Sequence, residues 1–296
     1  MDGLGRTVHE SERARVINTA EMSESRKMEL ASLASMVFIC MPVRRIDADV
    51  LDLIGRYRFN LEIGIDHYAL DRFPPAHFAD LAETFNRLGI AMTVHAPFHE
   101  LFPGAPDRLV RGAAIARLDA AFDLMAVFTP CSVVMHLNHE NRRFGFVADE
   151  WFAHIVPALE RYAGRCRDMG AVLVLENVYE EGPRAMVRVL EALVGRDVFH
   201  CVDVGHQNAF SETKLGDWLA ATGPYIRQFH LHDNDGTGDA HGPIGTGTVR
   251  FDLVADFIRR MDVRPLITLE PHTVEDIWRT LDGLERSGIV EALLRF

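Results

Sequence analysis

Eight short β-rich runs recur along this chain, and each is followed by a segment of helical length. The runs are Val37–Val43, Phe59–Ile65, Ile90–His95, Ser132–Leu137, Ala171–Asn177, Val198–Val204, Ile226–His232 and Pro265–Glu270. Amphipathic segments near 47–57, 74–88, 107–128, 150–169, 183–194, 213–222, 251–261 and 273–287 lie between and after them. Pro74-Pro75, Pro183 and Thr273 ahead of Glu275-Asp276 are helix-start signals. Gly89 and Gly170 stand just before strands, where a helix C-cap belongs. Strands alternating with helices pair in parallel through right-handed crossovers. An open α/β sheet can be built this way, but eight units over about 260 residues favour a closed (β/α)8 TIM barrel. The expected layout is an N-terminal extension over 1–35, a frayed helix or disordered, and one barrel over 36–296. Helical composition without a strong apolar face marks the extension from Ser11 to Leu30.

Composition narrows the function. Apolar residues are 48% and charged residues 25% of the 296, which is the globular range. The formal charge is −12, so the chain repels nucleic-acid phosphates and anionic lipid at long range. Cys40, Cys131, Cys166 and Cys201 are widely spaced with no metal-type pairing, as expected of free thiols in a cytoplasmic protein. The uncharged run Ala31 to Val43 falls short of the roughly 20 residues that span a bilayer, and no small-residue cleavage site follows it. It reads as a buried strand, with no membrane partner.

In such barrels the chemistry sits at the C-terminal ends of the strands. There this sequence places His95, His136, Glu176, Asp203 with His206, His230 and Glu270, and the loop after the seventh run adds Asp239 and His241. A lone His at a strand end is usually a hydrogen-bonded structural residue. Six consecutive strands delivering ionisable groups to one rim are different, because converging buried charges are costly unless something compensates them. A divalent cation does so, and His with carboxylate suits zinc, manganese, iron or cobalt. No thiolate joins the set, which argues against a zinc-finger type of structural site.

These ordered motifs resemble the xylose isomerase-like TIM-barrel superfamily, over about residues 37 to 290. The resemblance implies one of two site types. In the sugar isomerase/epimerase branch, Glu176, Asp203, His230 and Glu270 would hold one metal, the two glutamates would act as acid and base, and His206 would contact substrate. In the endonuclease IV branch, all nine residues, His95, His136, Glu176, Asp203, His206, His230, Asp239, His241 and Glu270, would hold three metals. One divalent ion against three carboxylates leaves −1 and suits a neutral polyol or keto sugar. Three ions against four carboxylates leave +2, which attracts a phosphate. The full donor set favours the second type.

The loops favour the first. Asp66 to Pro75 carries one Arg and two Asp, Asp233 to Asp239 is acidic, and only Arg142-Arg143 is locally basic. No basic and aromatic stripe is present to grip a duplex. The expectation is therefore a cytoplasmic metal-dependent isomerase or epimerase acting on a small sugar-like hydroxy-carbonyl compound. It would use one to three divalent ions, zinc or manganese. Catalysis would fall to Glu176, Glu270 and His206. The alternative is a multinuclear phosphoester hydrolase acting on abasic DNA or a small phosphodiester. A non-catalytic metalloprotein is disfavoured, since nine rim donors exceed what a structural site needs. A homo-oligomer is left open.

Other residues carry weaker expectations. Glu62 is expected to pair with Arg44. Gly245 and Gly247 could offer backbone amides to an anion or simply form a turn with positive φ. His232, Asp233 and Asp235 could orient ligands or simply form a turn, His272 could orient ligands, and His99 and Glu100 read as loop residues. Trp151, Trp218 and Trp278 read as helix packing.

Overall fold

The computed structural model describes residues 22–296. Eight strands run β1 Phe38–Pro42, β2 Asn60–Gly64, β3 Met92–His95, β4 Ser132–His136, β5 Val172–Glu176, β6 Val198–Asp203, β7 Ile226–Leu231 and β8 Leu266–Leu269. They close in sequence order into a barrel in which every neighbouring pair is parallel, with β1 bonded to β8. Each expected run contains one of these strands. The fold is the (β/α)8 barrel that the alternation predicts.

Local chemistry sets the helix boundaries. Asp47, Asp66, Asp107 and Thr273 each cap a helix by accepting a backbone N–H. Gly89 closes the helix Pro75–Leu88 at φ +67°, where a side chain would be strained. Trp218 is fully buried, Trp151 is buried, and Trp278 packs edge-on against Tyr57 and Phe59, as packing residues should.

Of the extension expected over 1–35, residues 1–21 lie outside the described residues. The helix Glu24–Ala34 packs against the helix Val274–Arg286, burying Leu30, Ala31 and Ala34, with Arg26 2.9 Å from Asp282 and 2.5 Å from Glu285. The uncharged run from Ala31 is thus not one strand. Its first four residues finish this helix, and only Phe38–Pro42 is β. Among the described residues no helix is long and apolar enough to cross a membrane. All four cysteines are free.

The strand period of two divides the barrel interior into levels. Glu62, Thr93, Ser132, Gln228 and Thr268 come from β2, β3, β4, β7 and β8 and are all fully buried. Hydrogen bonds join them, and those from Ser132 to Gln228, from Gln228 to Glu62 and from Thr268 to Glu62 cross between strands that are not neighbours, so they meet inside the barrel. Val134, Val174 and Cys201 form a small apolar cluster on the intervening strands. Two residues further along come His95, His136, Glu176, Asp203, His230 and Glu270. One strand step therefore converts this inner layer into the rim.

Candidate metal centre

Glu176 stands at the middle of the rim. Its Oε2 lies 3.0 Å from His95 Nε2, 3.3 Å from His136 Nε2 and 3.4 Å from His230 Nδ1. Its Oε1 lies 3.0 Å from His206 Nδ1. His230 Nδ1 also faces Glu270 Oε1 at 3.0 Å and Asp203 Oδ2 at 4.0 Å. The Asp-x-His pair completes the group. Asp239 Oδ2 is 3.3 Å from His206 Nε2 and 3.1 Å from His241 Nε2, and His241 Nδ1 is 3.6 Å from Glu270 Oε2. All nine residues singled out in the sequence meet in one connected cluster.

Local structure explains the less obvious placements. Asp203 ends β6 and caps the short helix Val204–Phe210, accepting the His206 N–H at 2.6 Å. That first turn swings His206 back over the barrel. His241 has φ +47°, a strained backbone for a side-chain-bearing residue. The paired hydrogen bonds between Asp233 and Gly242, 2.8 and 2.7 Å, hold the segment beside it.

Two expectations need correction, and a third is decided between its alternatives. For Gly245 and Gly247 the anion alternative fails, because Asp233 Oδ2 accepts both amides, at 2.9 and 2.8 Å, and the turn alternative holds, with Gly245 at φ +88°. Gly247 is required by contact, since a Cβ there would lie 2.2 Å from the Asn234 carbonyl oxygen. Glu62 does not pair with Arg44. Arg44 reaches Asp66 at 2.6 Å, while Glu62 lies inside the barrel, 3.1 Å from His230 Nε2. His232 is more than an orienting neighbour. Its Nε2 lies 3.1 Å from Asp203 Oδ1 and 3.6 Å from Asp239 Oδ1, and its ring stacks on His241 at 3.9 Å. Its spacing of two from His230 on a strand was the signal that it shares the inward face. His272 stacks on His241 at 4.3 Å.

The charges are strongly coupled. Burial alone would raise the pKa of Glu176, but His136 and His230 hold it well below the carboxylate range. Burial opposes charge on His241, yet Asp239 and Glu270 bring its pKa up to about 9. Burial lowers the pKa of His136.

Several buried atoms at the centre lack a hydrogen-bond partner: Glu176 Oε1, Asp203 Oδ2, His230 Nδ1 and both His232 ring nitrogens. Unsatisfied acceptors in a buried cluster of carboxylates and imidazoles are what a divalent cation would satisfy. Ligand atoms from His95, Glu176 and His230 lie within 4.8 Å of one another, as do those from Glu176, Asp203 and His206, and those from His206, His232, Asp239 and His241. The donor set fits a metal.

A cavity of about 750 Å³ opens above these residues. His95, His136, Glu176, His206, Asp239, His241 and Glu270 line it, while Phe98, Phe102, Arg45 and Arg143 also face it. That volume lies within the range of roughly 300–1,000 Å³ for small-molecule sites.

Comparison with known proteins agrees with the barrel fold. The family model described as xylose isomerase-like TIM barrel matches residues 58–289. The uncharacterized protein MJ1311 of Methanocaldococcus jannaschii is 24% identical over 222 residues, 71% of this chain and 74% of that protein. The TTHB071 protein from Thermus thermophilus, solved after soaking with ZnCl2, is 28% identical, with a TM-score of 0.71 over 85% of this chain and 97% of that one. A D-tagatose 3-epimerase-like protein is 19% identical, with a TM-score of 0.73 over 88% of this chain and 99% of that one, a likeness of fold.

Proposed function

The chain belongs to the xylose isomerase-like TIM-barrel family, and on that premise we propose that it is a cytoplasmic, metal-dependent isomerase or epimerase acting on a small sugar or sugar-like hydroxy-carbonyl compound. One observation carries this reading. Glu176 on β5 and Glu270 just beyond β8 are two buried carboxylates converging from well-separated strands on the same His230 Nδ1, at 3.4 and 3.0 Å, inside a cavity of small-molecule size. Similarity in fold to sugar epimerases supports it. The free cysteines fit a reducing compartment.

Glu176, Asp203, His230 and Glu270 would hold the ion, and zinc or manganese suits these donors. A divalent ion bound there would supply a Lewis acid that polarises a carbonyl. The protein supplies the proton transfers. One glutamate takes the proton from the carbon next to the carbonyl, and the other returns one on the opposite face. A positioned carboxylate base contributes about 10²–10⁴-fold. His206, whose ring nitrogens face Glu176 and Asp239 at 3.0 and 3.3 Å, lines the cavity in which a substrate hydroxyl would sit. The acidic chain and the cavity favour a small molecule over nucleic acid.

The test is hydrogen exchange. The purified chain, loaded with zinc or with manganese, is incubated in D2O with a panel of aldoses and ketoses. Deuterium at the carbon beside the carbonyl, absent with Glu176→Gln, is the expected result.

A second reading is favoured by one specific feature, the group formed by His206, Asp239 and His241. It supplies donors for further cations, as a phosphoester hydrolase would require. Release of phosphate or cleavage of a small phosphodiester, with no deuterium exchange on any sugar, would establish it. Glu176, Asp203, His230 and Glu270 are ligands in either reading.

A further inference from the structure

Glu62 lies below the rim, fully buried inside the barrel, with no arginine or lysine against it among the described residues. A buried carboxylate without a cationic partner is expensive, so its hydrogen-bond inventory is informative. Oε2 accepts from Gln228 Nε2 at 2.7 Å, Thr93 Oγ1 at 2.9 Å and Thr268 Oγ1 at 3.0 Å. Oε1 makes no hydrogen bond and faces His230 Nε2 at 3.1 Å, within reach of one.

Counting hydrogens assigns the His230 tautomer. Ser132 Oγ donates to Gln228 Oε1 at 2.8 Å, which fixes the orientation of that amide. The two hydrogens of Gln228 Nε2 are then directed to Glu62 Oε2 and, at 3.1 Å, to Thr268 Oγ1. None remains for His230 Nε2, 3.3 Å away. The near carboxylate oxygen left to this nitrogen is Glu62 Oε1 at 3.1 Å, and the geometry assigns the hydrogen to Nε2, facing it. Nδ1 is left with its lone pair directed at the carboxylates of Glu176 and Glu270.

We propose that Glu62 is the positioning residue of the metal centre: it holds His230 in the Nε2–H tautomer and presents Nδ1 as the ligand atom. Carboxylate–histidine–metal chains set ring orientation and ligand basicity in this way, and losing the outer carboxylate typically costs about 10–100-fold in metal affinity. In Glu62→Gln an amide N–H can face Nε2. The imidazole hydrogen then moves to Nδ1 and blocks the ligand atom. The inference rests on His230 being a ligand, which is common to both functional readings.

Two measurements on the full chain test it, with zinc as the probe. In zinc-loaded, ¹⁵N-labelled wild-type protein, two-bond ¹H–¹⁵N correlations of His230, assigned by their absence in His230→Gln, should show hydrogen on Nε2. Hydrogen on Nδ1 would overturn the proposal whether or not any Glu62 variant folds. Zinc affinity, measured by competition with a chromophoric chelator, should fall roughly 10–100-fold in Glu62→Gln. Unchanged affinity there, together with a loss in His230→Gln, would refute the role of Glu62 alone. Unchanged affinity in His230→Gln as well would refute the metal-site reading itself.

Discussion

Glu176 Oε1 lies 3.0 Å from His206 Nδ1, while the other oxygen of the same carboxylate faces three further imidazoles. On the proposed reading, one side chain both ligates the cation and acts on substrate. Glu176→Gln keeps the size and removes the charge. Turnover should drop by at least about 10²-fold with the barrel still folded, as circular dichroism would show. Activity near that of the wild type would remove Glu176 from the mechanism.

Asp239→Ala separates the two chemistries. Asp239 joins His206 and His241, beyond the four ligands shared by both readings. An isomerase with one metal should retain kcat within a few-fold. A hydrolase needing three ions should lose it. Steady-state kinetics of the variant on the substrate found by exchange or phosphate release decides between them.

Metal removal should weaken the fold, because the clustered carboxylates and imidazoles lose the cation that satisfies them. Binding to the native state stabilises by mass action, about 2.7 kcal/mol at a concentration one hundred times Kd. Melting in a chelator and then with excess zinc should show a Tm higher by several degrees in zinc. Identical curves would deny the site a bound ion.

Gly247→Ala should destabilise the chain by about 1–3 kcal/mol. Its Cβ would sit 2.2 Å from a backbone oxygen of Asn234, which cannot swing aside as a side-chain tip can. The clash falls inside the turn that Asp233 holds together, so the neighbouring Asp239 and His241 should also be displaced. Denaturant midpoints check the first effect. A variant as stable as the wild type would show that the turn relaxes freely.

Glu180, which is not one of the nine donors, gives a pH signature. Burial raises its pKa to about 7, against the backbone amides of Val178 and His139 that it accepts at 2.7 and 3.0 Å. The folded pKa lies above the unfolded one, so the proton favours the native state. That contribution is complete below about pH 4.5 and disappears as pH rises through about 7. The stability of the wild type relative to Glu180→Gln should fall over this window, by on the order of 3 kcal/mol. Urea denaturation in chelator at pH 5 and pH 8 measures it, and a constant difference would refute the shift.

Much of this was legible in the sequence because strands buried on both faces appear as continuous apolar runs. The same two-residue period places His95, His136, Glu176, Asp203, His230 and Glu270 at strand ends, whereas the family resemblance, not spacing, implied that His206, Asp239 and His241 join them as ligands. What was not legible depends on long-range partners. Nothing near Glu62 in sequence indicates that its neighbour is His230, and the nearer Arg44 was the natural guess. Asp233 reaches amides 12 and 14 residues further on, so the Gly245 and Gly247 turn looked free for a ligand. The helix Val204–Phe210 is too short for a periodic signal, yet it aims His206. His232 was readable from its spacing and was undervalued, because an Asp-Asn-Asp turn follows it at once.

The central claim is proton transfer by two glutamates at a mononuclear centre, and metal content per chain tests it most directly. Elemental analysis of protein purified without chelator or a metal-binding tag should give about one ion per chain. Two or three ions per chain would contradict the account and move the site to phosphoester chemistry.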